Sequence, residues 1–472
     1  MINSNQFRHN AHQFVDWMAD YLEQVETLPV KSQIKPGEIF DQLPDYPPAE
    51  TENIEDIFYD FKKLILPGMT HWQSPNFFAY FPANSSYPSV LAEMLTATMG
   101  AQCMIWATSP AAAELEEKTM NWLRSMIGLP QNFTGVIQDT ASTATLTALL
   151  TARERASNFE INNKGFQNQK FRIYCSSETH SSIEKGVKIA GFGKENLVKV
   201  DVDEFYRLDT DKLEMAIQED IQKGFNPLCV IATLGTTGST AIDPIKEIAE
   251  ITLKYKIWLH VDAAFAGSAL ILDEYRWMIN GVEAVDSFVF NPHKWMFTNF
   301  DLSAYFVKDK EALIKTFSIN PEYLKTNNEG AVNDYRDWGV PLGRRFRALK
   351  LWFVIRNFGT NGLKAKIRDH IHFASWLEKE IDKHPNFEII TPRTLNLVCF
   401  RYKPANIKDK NLLNDLNQLL LNRVNETGKV YMSHTKLSEK FTLRMVIGQT
   451  NVTEQHVNNA WKLIQQFAEE LS

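Results

Sequence analysis

Phe7, Ala11, Phe14, Val15, Met18, Leu22 and Val25 recur at helical spacing, which predicts an amphipathic opening helix whose apolar stripe needs a partner surface. Pro29, Pro36, Pro44, Pro47 and Pro48 then mark an extended stretch, and a second helix is predicted over 54–66, ended by Pro67-Gly68. This opening segment has little room for a core of its own, so its apolar faces must bury against the next domain or another subunit. From Tyr87-Pro88 to about residue 360 short apolar runs alternate with helical patterns, the signature of a mostly parallel sheet covered on both faces. Ser109-Pro110 is a good cap-and-first-turn pair for one such helix, which stops at Gly128. Strands are predicted at 135–138, 171–175, 197–202, 228–234, 257–261 and 287–290. A seventh at 302–307 follows too closely for a parallel crossover and is expected to be antiparallel.

After Gly359 the texture shifts again. A helix over 363–384, strands at 387–390, 397–402 and 441–447, and helices over 411–425 and 453–471 predict a small α+β domain. The resulting division is an N-terminal helical segment (1–86), a large α/β domain (87–360) and a small C-terminal domain (361–472). Residues 327–331, Asn-Asn-Glu-Gly-Ala, are polar and poorly patterned, as in a mobile loop that closes over a substrate.

Composition narrows the function classes. With 44% hydrophobic and 23% charged residues in 472, the chain reads as an ordinary globular protein without a transmembrane run. Its first residues lack the basic-then-apolar pattern of a secretory signal, so a cytoplasmic location is expected. Cys103, Cys175, Cys229 and Cys399 are widely spaced, which argues against a disulfide framework or a structural zinc site, and no metal is expected. A net charge of −7 gives no footprint for nucleic acid or an anionic membrane surface.

Two strand ends carry the chemistry. The apolar run Ser287-Phe288-Val289-Phe290 leads into Asn291-Pro292-His293-Lys294-Trp295, and Ile257-Trp258-Leu259-His260-Val261 leads into Asp262-Ala263-Ala264. A lysine is by default a solvated surface charge. At the C-terminal edge of a sheet, beside another potential cation, its pKa falls toward that of an amine able to attack an aldehyde. A carboxylate ending a buried strand is costly without a cationic or hydrogen-bonded partner. Together the two fit the fixed points of pyridoxal phosphate: a lysine that binds its aldehyde and an acid facing its pyridinium nitrogen.

The phosphate of such a cofactor needs a helix N-terminus with small or hydroxyl residues. Asp139-Thr140-Ala141-Ser142-Thr143-Ala144 supplies one, although serine and threonine cap helices everywhere and Asp139 has the wrong charge, so its side chain is expected to point away. His180 follows the 171–175 strand, where an imidazole could either cap a helix or stack on a cofactor ring. Thr236-Thr237 offer a further strand-end hydroxyl pair, and no glycine-rich dinucleotide fingerprint is present.

With these motifs the chain resembles the aromatic L-amino-acid decarboxylases, pyridoxal phosphate enzymes of the group II decarboxylase family. The resemblance runs through Pro67-Gly68-Met69-Thr70-His71-Trp72, Phe77-Phe78-Ala79-Tyr80-Phe81-Pro82, Gly135-Val136-Ile137-Gln138, Ala232-Thr233-Leu234-Gly235-Thr236-Thr237, His260-Val261-Asp262-Ala263-Ala264, Asn291-Pro292-His293-Lys294-Trp295 and Pro341-Leu342-Gly343-Arg344-Arg345-Phe346-Arg347. It implies the fold type I, aspartate-aminotransferase-like architecture with a seven-stranded sheet, and a homodimer with shared active sites. It makes Lys294 the cofactor-bearing lysine, Asp262 the pyridinium partner and His180 the stacking residue. Thr140, Ala141, Ser142, Thr237, Ala264, Asn291 and His293 complete the implied cofactor shell. Tyr323, in Asn320-Pro321-Glu322-Tyr323, matches a loop tyrosine that protonates the substrate's α-carbon across the dimer.

Trp72, Tyr80, Phe81, Pro82, Gln102, Met104 and His180 are the implied substrate contacts for an aromatic amino acid, with core packing the competing reading of the aromatic cluster that also holds Phe77 and Phe78. The chain departs from the family pattern at Ala83, where threonine is usual in the animal enzymes, at Gln102 and Met104, usually Ile and Phe, and at Asp139-Thr140, often Gly-Ser. These changes leave open which ring is preferred. The competing functions are an aromatic aldehyde synthase, a decarboxylase of acidic amino acids, and a non-catalytic binding protein on the same fold.

Overall fold

The computed structural model describes residues 2–319 and 332–471. Its backbone contacts separate two compact units, Ala83–Ile371 with Thr391–Leu397, and Met1–Pro82 with His372–Ile390 and Val398–Ser472.

The first of these is built on seven strands: β1 (Thr134–Gln138), β2 (Phe171–Ser176), β3 (Leu197–Val200), β4 (Asn226–Thr233), β5 (Trp258–Asp262), β6 (Ser287–Phe290) and β7 (Ser303–Val307). Their order across the sheet is β1-β7-β6-β5-β4-β2-β3. Strands β6, β5, β4, β2 and β3 run parallel, while β7 is antiparallel to both β6 and β1, as its short connection requires. Strands β5, β6 and β7 are buried at every position, which is why they read as mostly apolar runs without alternation. Helix Ala141–Ala156 packs on the sheet through Ala144, Ala148 and Ala152, whose small side chains at i, i+4 and i+8 let it lie close over Val136, Ile231 and Val289.

The other unit holds β8 (Phe387–Ile389), β9 (Leu397–Tyr402), β10 (Ser433–Leu437) and β11 (Lys440–Val446) in the order β10-β11-β9-β8. Helices Lys410–Glu426 and Glu454–Glu470 cover it, with Leu420, Val424, Val457, Trp461 and Ile464 in the core. The opening helix Ser4–Gln24 and helix Ile54–Asp60 meet through aromatic rings, with Phe14 and Phe58 centroids 4.4 Å apart. Phe7 and Val15 stay exposed.

Gly359, with φ at 65°, interrupts the stretch Arg347–Asp382, and the helix predicted over 363–384 is the part that follows this break. Strand β10 was not predicted at all. Its residues Ser-His-Thr-Lys-Leu carry no apolar run because it pairs along one side only, and its two-residue turn uses Ser438 and Glu439, both at positive φ, instead of the Asn-Gly that signals such turns.

Candidate active site

Strands β5 and β6 pair in parallel register, with Asp262 opposite Val289, and their tips are laced together beyond the sheet. Ala263 N–H donates to the Val289 carbonyl at 2.9 Å and Asn291 N–H to the Ala264 carbonyl at 3.0 Å. Asp262 is buried, and one carboxylate oxygen accepts the Ala264 N–H at 3.0 Å, which fixes the side chain at the strand's end. Asn291 caps the single helical turn Pro292–Trp295 that carries Lys294. Burial pushes the Lys294 amine below the ordinary lysine pKa, while the Asp262 charge works in the opposite direction. The amine and carboxylate predicted from the two strand ends are therefore electrostatic partners.

Three further groups brace the lysine turn. Asn84, itself buried, donates its side-chain amide to the Lys294 carbonyl at 2.8 Å and its N–H to the His293 carbonyl at 3.2 Å. Asn291 Oδ1 accepts the Ser303 hydroxyl at 2.7 Å, tying this turn to the start of β7. The His293 Nδ1 accepts the Leu302 N–H at 2.9 Å, and its ring packs edge-on against Phe300. Burial, with the Lys294 charge beside it, lowers the His293 pKa to about 3, so the ring is neutral and its δ nitrogen is committed to the backbone.

His180 lies in the turn between β2 and helix Ser182–Ile189. Solvent reaches its ring, yet enough protein surrounds it that burial lowers its pKa, as does Lys294, while Asp262 opposes the shift. Its Nδ1 accepts the Ser182 N–H at 3.2 Å and lies 2.8 Å from the Ser182 hydroxyl. That bond selects the tautomer with its proton on Nε2, a donor free to meet a carboxylate.

Beyond β1, Thr140 caps helix Ala141–Ala156, and its hydroxyl accepts the Thr143 N–H at 3.4 Å. The Ala141 and Ser142 N–H groups, in the first turn, have no intrahelical acceptor. Asp139 does not point away: its carboxylate accepts the Thr140 N–H at 2.6 Å. Past β4, Gly235 takes φ 81° to turn the chain, and a Cβ there would meet that of Ala266 at 2.9 Å. Thr236 is buried and accepts the Ala241 N–H, whereas Thr237 stays exposed at the turn's tip, beyond the Thr233–Asp262 pair of adjacent strands.

Gln102 and Met104 are pinned to the 336–344 segment. The Gln102 side-chain oxygen accepts the Arg344 N–H at 2.7 Å, and the Met104 carbonyl accepts the Arg336 N–H at 2.8 Å. Arg344 in turn forms a buried ion pair with Glu116 at 2.6 Å and donates to the Ile137 carbonyl. Neither Asn84 nor this pair was singled out as a site feature from the sequence. Trp72, Tyr80, Phe81 and Pro82 belong to the other unit. There Phe77 and Phe78 are core residues, Trp72 and Tyr80 present half-open rings 6.0 Å apart, and the Arg444 guanidinium lies over Phe81 at 5.6 Å. Tyr323 and residues 327–331 lie outside the described residues.

These groups suit pyridoxal phosphate: an amine depressed toward its nucleophilic form, a buried carboxylate beside it, a neutral imidazole with a free donor, and helix N–H groups open to an anion. Known proteins agree. Residues 36–403 match the pyridoxal-dependent decarboxylase conserved domain. The chain is 45% identical over 477 residues to phenylacetaldehyde synthase of Arabidopsis thaliana, covering 99% of this chain and 96% of that protein. It is 43% identical over 478 residues to tryptophan decarboxylase 2 of Oryza sativa subsp. japonica, with 99% and 95% covered. The crystal structure of Oryza sativa TDC with PLP and tryptamine superposes with a TM-score of 0.96 at 36% identity, over 100% of this chain and 99% of that one. The chain thus belongs to the pyridoxal-dependent decarboxylase family, with pyridoxal 5'-phosphate as its cofactor.

Proposed function

We propose that this enzyme is a carboxy-lyase acting on aromatic L-amino acids of the phenylalanine, tyrosine, tryptophan, DOPA and 5-hydroxytryptophan class, releasing the arylalkylamine and carbon dioxide. The observation that carries this reading is the Lys294–Asp262 pair at the tips of adjacent parallel strands, in a chain whose relatives include a tryptophan decarboxylase. When bound, pyridoxal phosphate supplies an electron sink for the pair left on the α-carbon as carbon dioxide departs.

The chain's own residues do the rest. Lys294, with its pKa lowered by burial, presents an amine that attaches the cofactor and later reclaims it. Asp262 holds a negative charge where a pyridinium would sit. Ala141 and Ser142 offer N–H groups to a phosphate, and Asn291 and Ala264 fix the strand-tip geometry around them. His180 would stack on the cofactor ring and donate from Nε2 to the substrate carboxylate, and Tyr323 would return a proton to the α-carbon. Trp72, Tyr80 and Phe81 present flat apolar faces suited to an aromatic side chain.

A second reading, aromatic aldehyde synthase, is favoured by the 45% likeness to phenylacetaldehyde synthase. A product assay across the five amino acids separates the two. Amine matching carbon dioxide, without peroxide, is expected; peroxide formed in step with carbon dioxide would move the assignment to the synthase. In air, Tyr323→Phe is expected to divert product from amine to aldehyde, ammonia and hydrogen peroxide, with dioxygen as the two-electron oxidant and water supplying the aldehyde oxygen, and an unchanged amine yield would refute the proton-donor role.

We also propose a homodimer working in the cytoplasm. Helix Tyr87–Met99 leaves Tyr87, Leu91, Leu95 and Met99 exposed at i, i+4, i+8 and i+12, an apolar stripe suited to a second copy of the chain. All four cysteines are free and buried, in keeping with a reducing compartment, and among the described residues no helix is long and apolar enough to cross a membrane. Leu91→Asp combined with Leu95→Asp is expected to give monomers in sedimentation velocity; an unaltered dimer peak would move the interface elsewhere.

A further inference from the structure

The helix beginning at Ala141 has two claimants for its positive end. Its first-turn N–H groups carry the equivalent of about half an elementary positive charge, which suits a phosphate dianion. Yet the sequence places Asp139 one residue before the cap, at the tip of β1. Its carboxylate accepts the Thr140 N–H at 2.6 Å and the Thr140 hydroxyl at 3.4 Å. The same hydroxyl oxygen takes the Thr143 N–H, so these donors are consumed within the protein. What is left for a ligand is the pair of N–H groups on Ala141 and Ser142, with the Ser142 hydroxyl. Asp139 is only half-buried, and no lysine, arginine or histidine forms an ion pair with it among the described residues. Its carbonyl lies 3.4 Å from the Ser303 hydroxyl that also donates to Asn291, so its backbone is braced against the lysine-bearing turn. The backbone that carries the carboxylate is therefore held beside the helix start.

We infer that Asp139 tunes cofactor retention by weakening it: the carboxylate takes one of the helix's donors and repels the phosphate that the remaining ones hold. The inference rests on the reading that Ala141 and Ser142 receive that phosphate. A physical consequence is selectivity in the effect. Charge at position 139 acts on the phosphate and not on the aldehyde or ring, so it discriminates pyridoxal phosphate from pyridoxal.

Asp139→Asn tests this, because asparagine keeps an oxygen to accept the Thr140 N–H while losing the charge. Apoenzyme is titrated with pyridoxal phosphate and, separately, with pyridoxal, following quenching of intrinsic fluorescence, and the rate of cofactor loss on dilution is recorded. Removing one like charge near the surface is expected to lower the Kd for pyridoxal phosphate about fivefold and slow its release, with the Kd for pyridoxal unchanged. Ser142→Ala, measured alongside, is expected to weaken pyridoxal phosphate selectively. If Ser142→Ala does so while Asp139→Asn leaves the Kd unchanged, raises it, or tightens both ligands alike, the inference fails and the phosphate site stands. If neither variant separates the two ligands, the phosphate site at this helix falls, and the inference with it.

Discussion

Lys294→Ala is expected to lower kcat by roughly four orders of magnitude, about 5.5 kcal/mol in activation free energy, and to abolish covalent retention of the cofactor. The argument is local. The amine sits on a one-turn helix that follows Asn291 and whose Lys294 carbonyl accepts the Asn84 amide, so its backbone is held in place. Burial pushes its pKa below the ordinary lysine value, which favours the nucleophilic free base, and an alanine leaves neither nucleophile nor charge. Borohydride reduction followed by peptide mapping checks the covalent part: the native enzyme should carry the label on the Lys294 peptide. A label elsewhere, or a variant that keeps near-native kcat with an intact circular dichroism spectrum, would remove the foundation of the functional reading.

The second large effect is expected at Asp262. Asparagine in its place can still accept the Ala264 N–H, so the strand-end turn is preserved and only the charge is lost. Losing one preorganised charge that stabilises the transition state costs about 3 kcal/mol, which converts to a kcat loss of roughly 150-fold. A second readout separates this from a loss of fold. The Asp262 charge raises the Lys294 pKa against the burial that lowers it, so its removal must move that pKa further down. In apoenzyme of Asp262→Asn, the pH dependence of amine modification at Lys294 should shift to lower pH. A shift to higher pH, or kcat within a few fold of native, would show that the two groups do not act as a pair.

Helix Ala141–Ala156 shows how local preference and tertiary structure divide the work. Its start was legible because Thr140 and the small residues after it are cap and first-turn types, whereas the sheet-facing row Ala144, Ala148 and Ala152 was seen only in the structure, since alanines carry little apolar signal. The direction of the Asp139 side chain was not legible. Charge alone argued that it should avoid a phosphate, yet a donor one residue away captures it first. The neutral state of His293 is another such case: its sequence neighbours suggest a site residue, but the Leu302 N–H and burial decide what its ring does.

By itself the sequence determined the strand-and-helix alternation, the antiparallel seventh strand, and the residues ending β5 and β6, because each follows from runs of a few neighbouring side chains and a short connection. Tertiary structure alone decided what holds those ends in place. Asn84 reaches a carbonyl 210 residues away, and Arg344 finds Glu116 across 228 residues. Such partners share no period or spacing, since they meet only where the fold brings buried polar groups within hydrogen-bonding reach of each other. The hairpin of β10 and β11 belongs with them: two ordinary residues accept left-handed backbone there because the pairing of the strands on either side compensates the local cost.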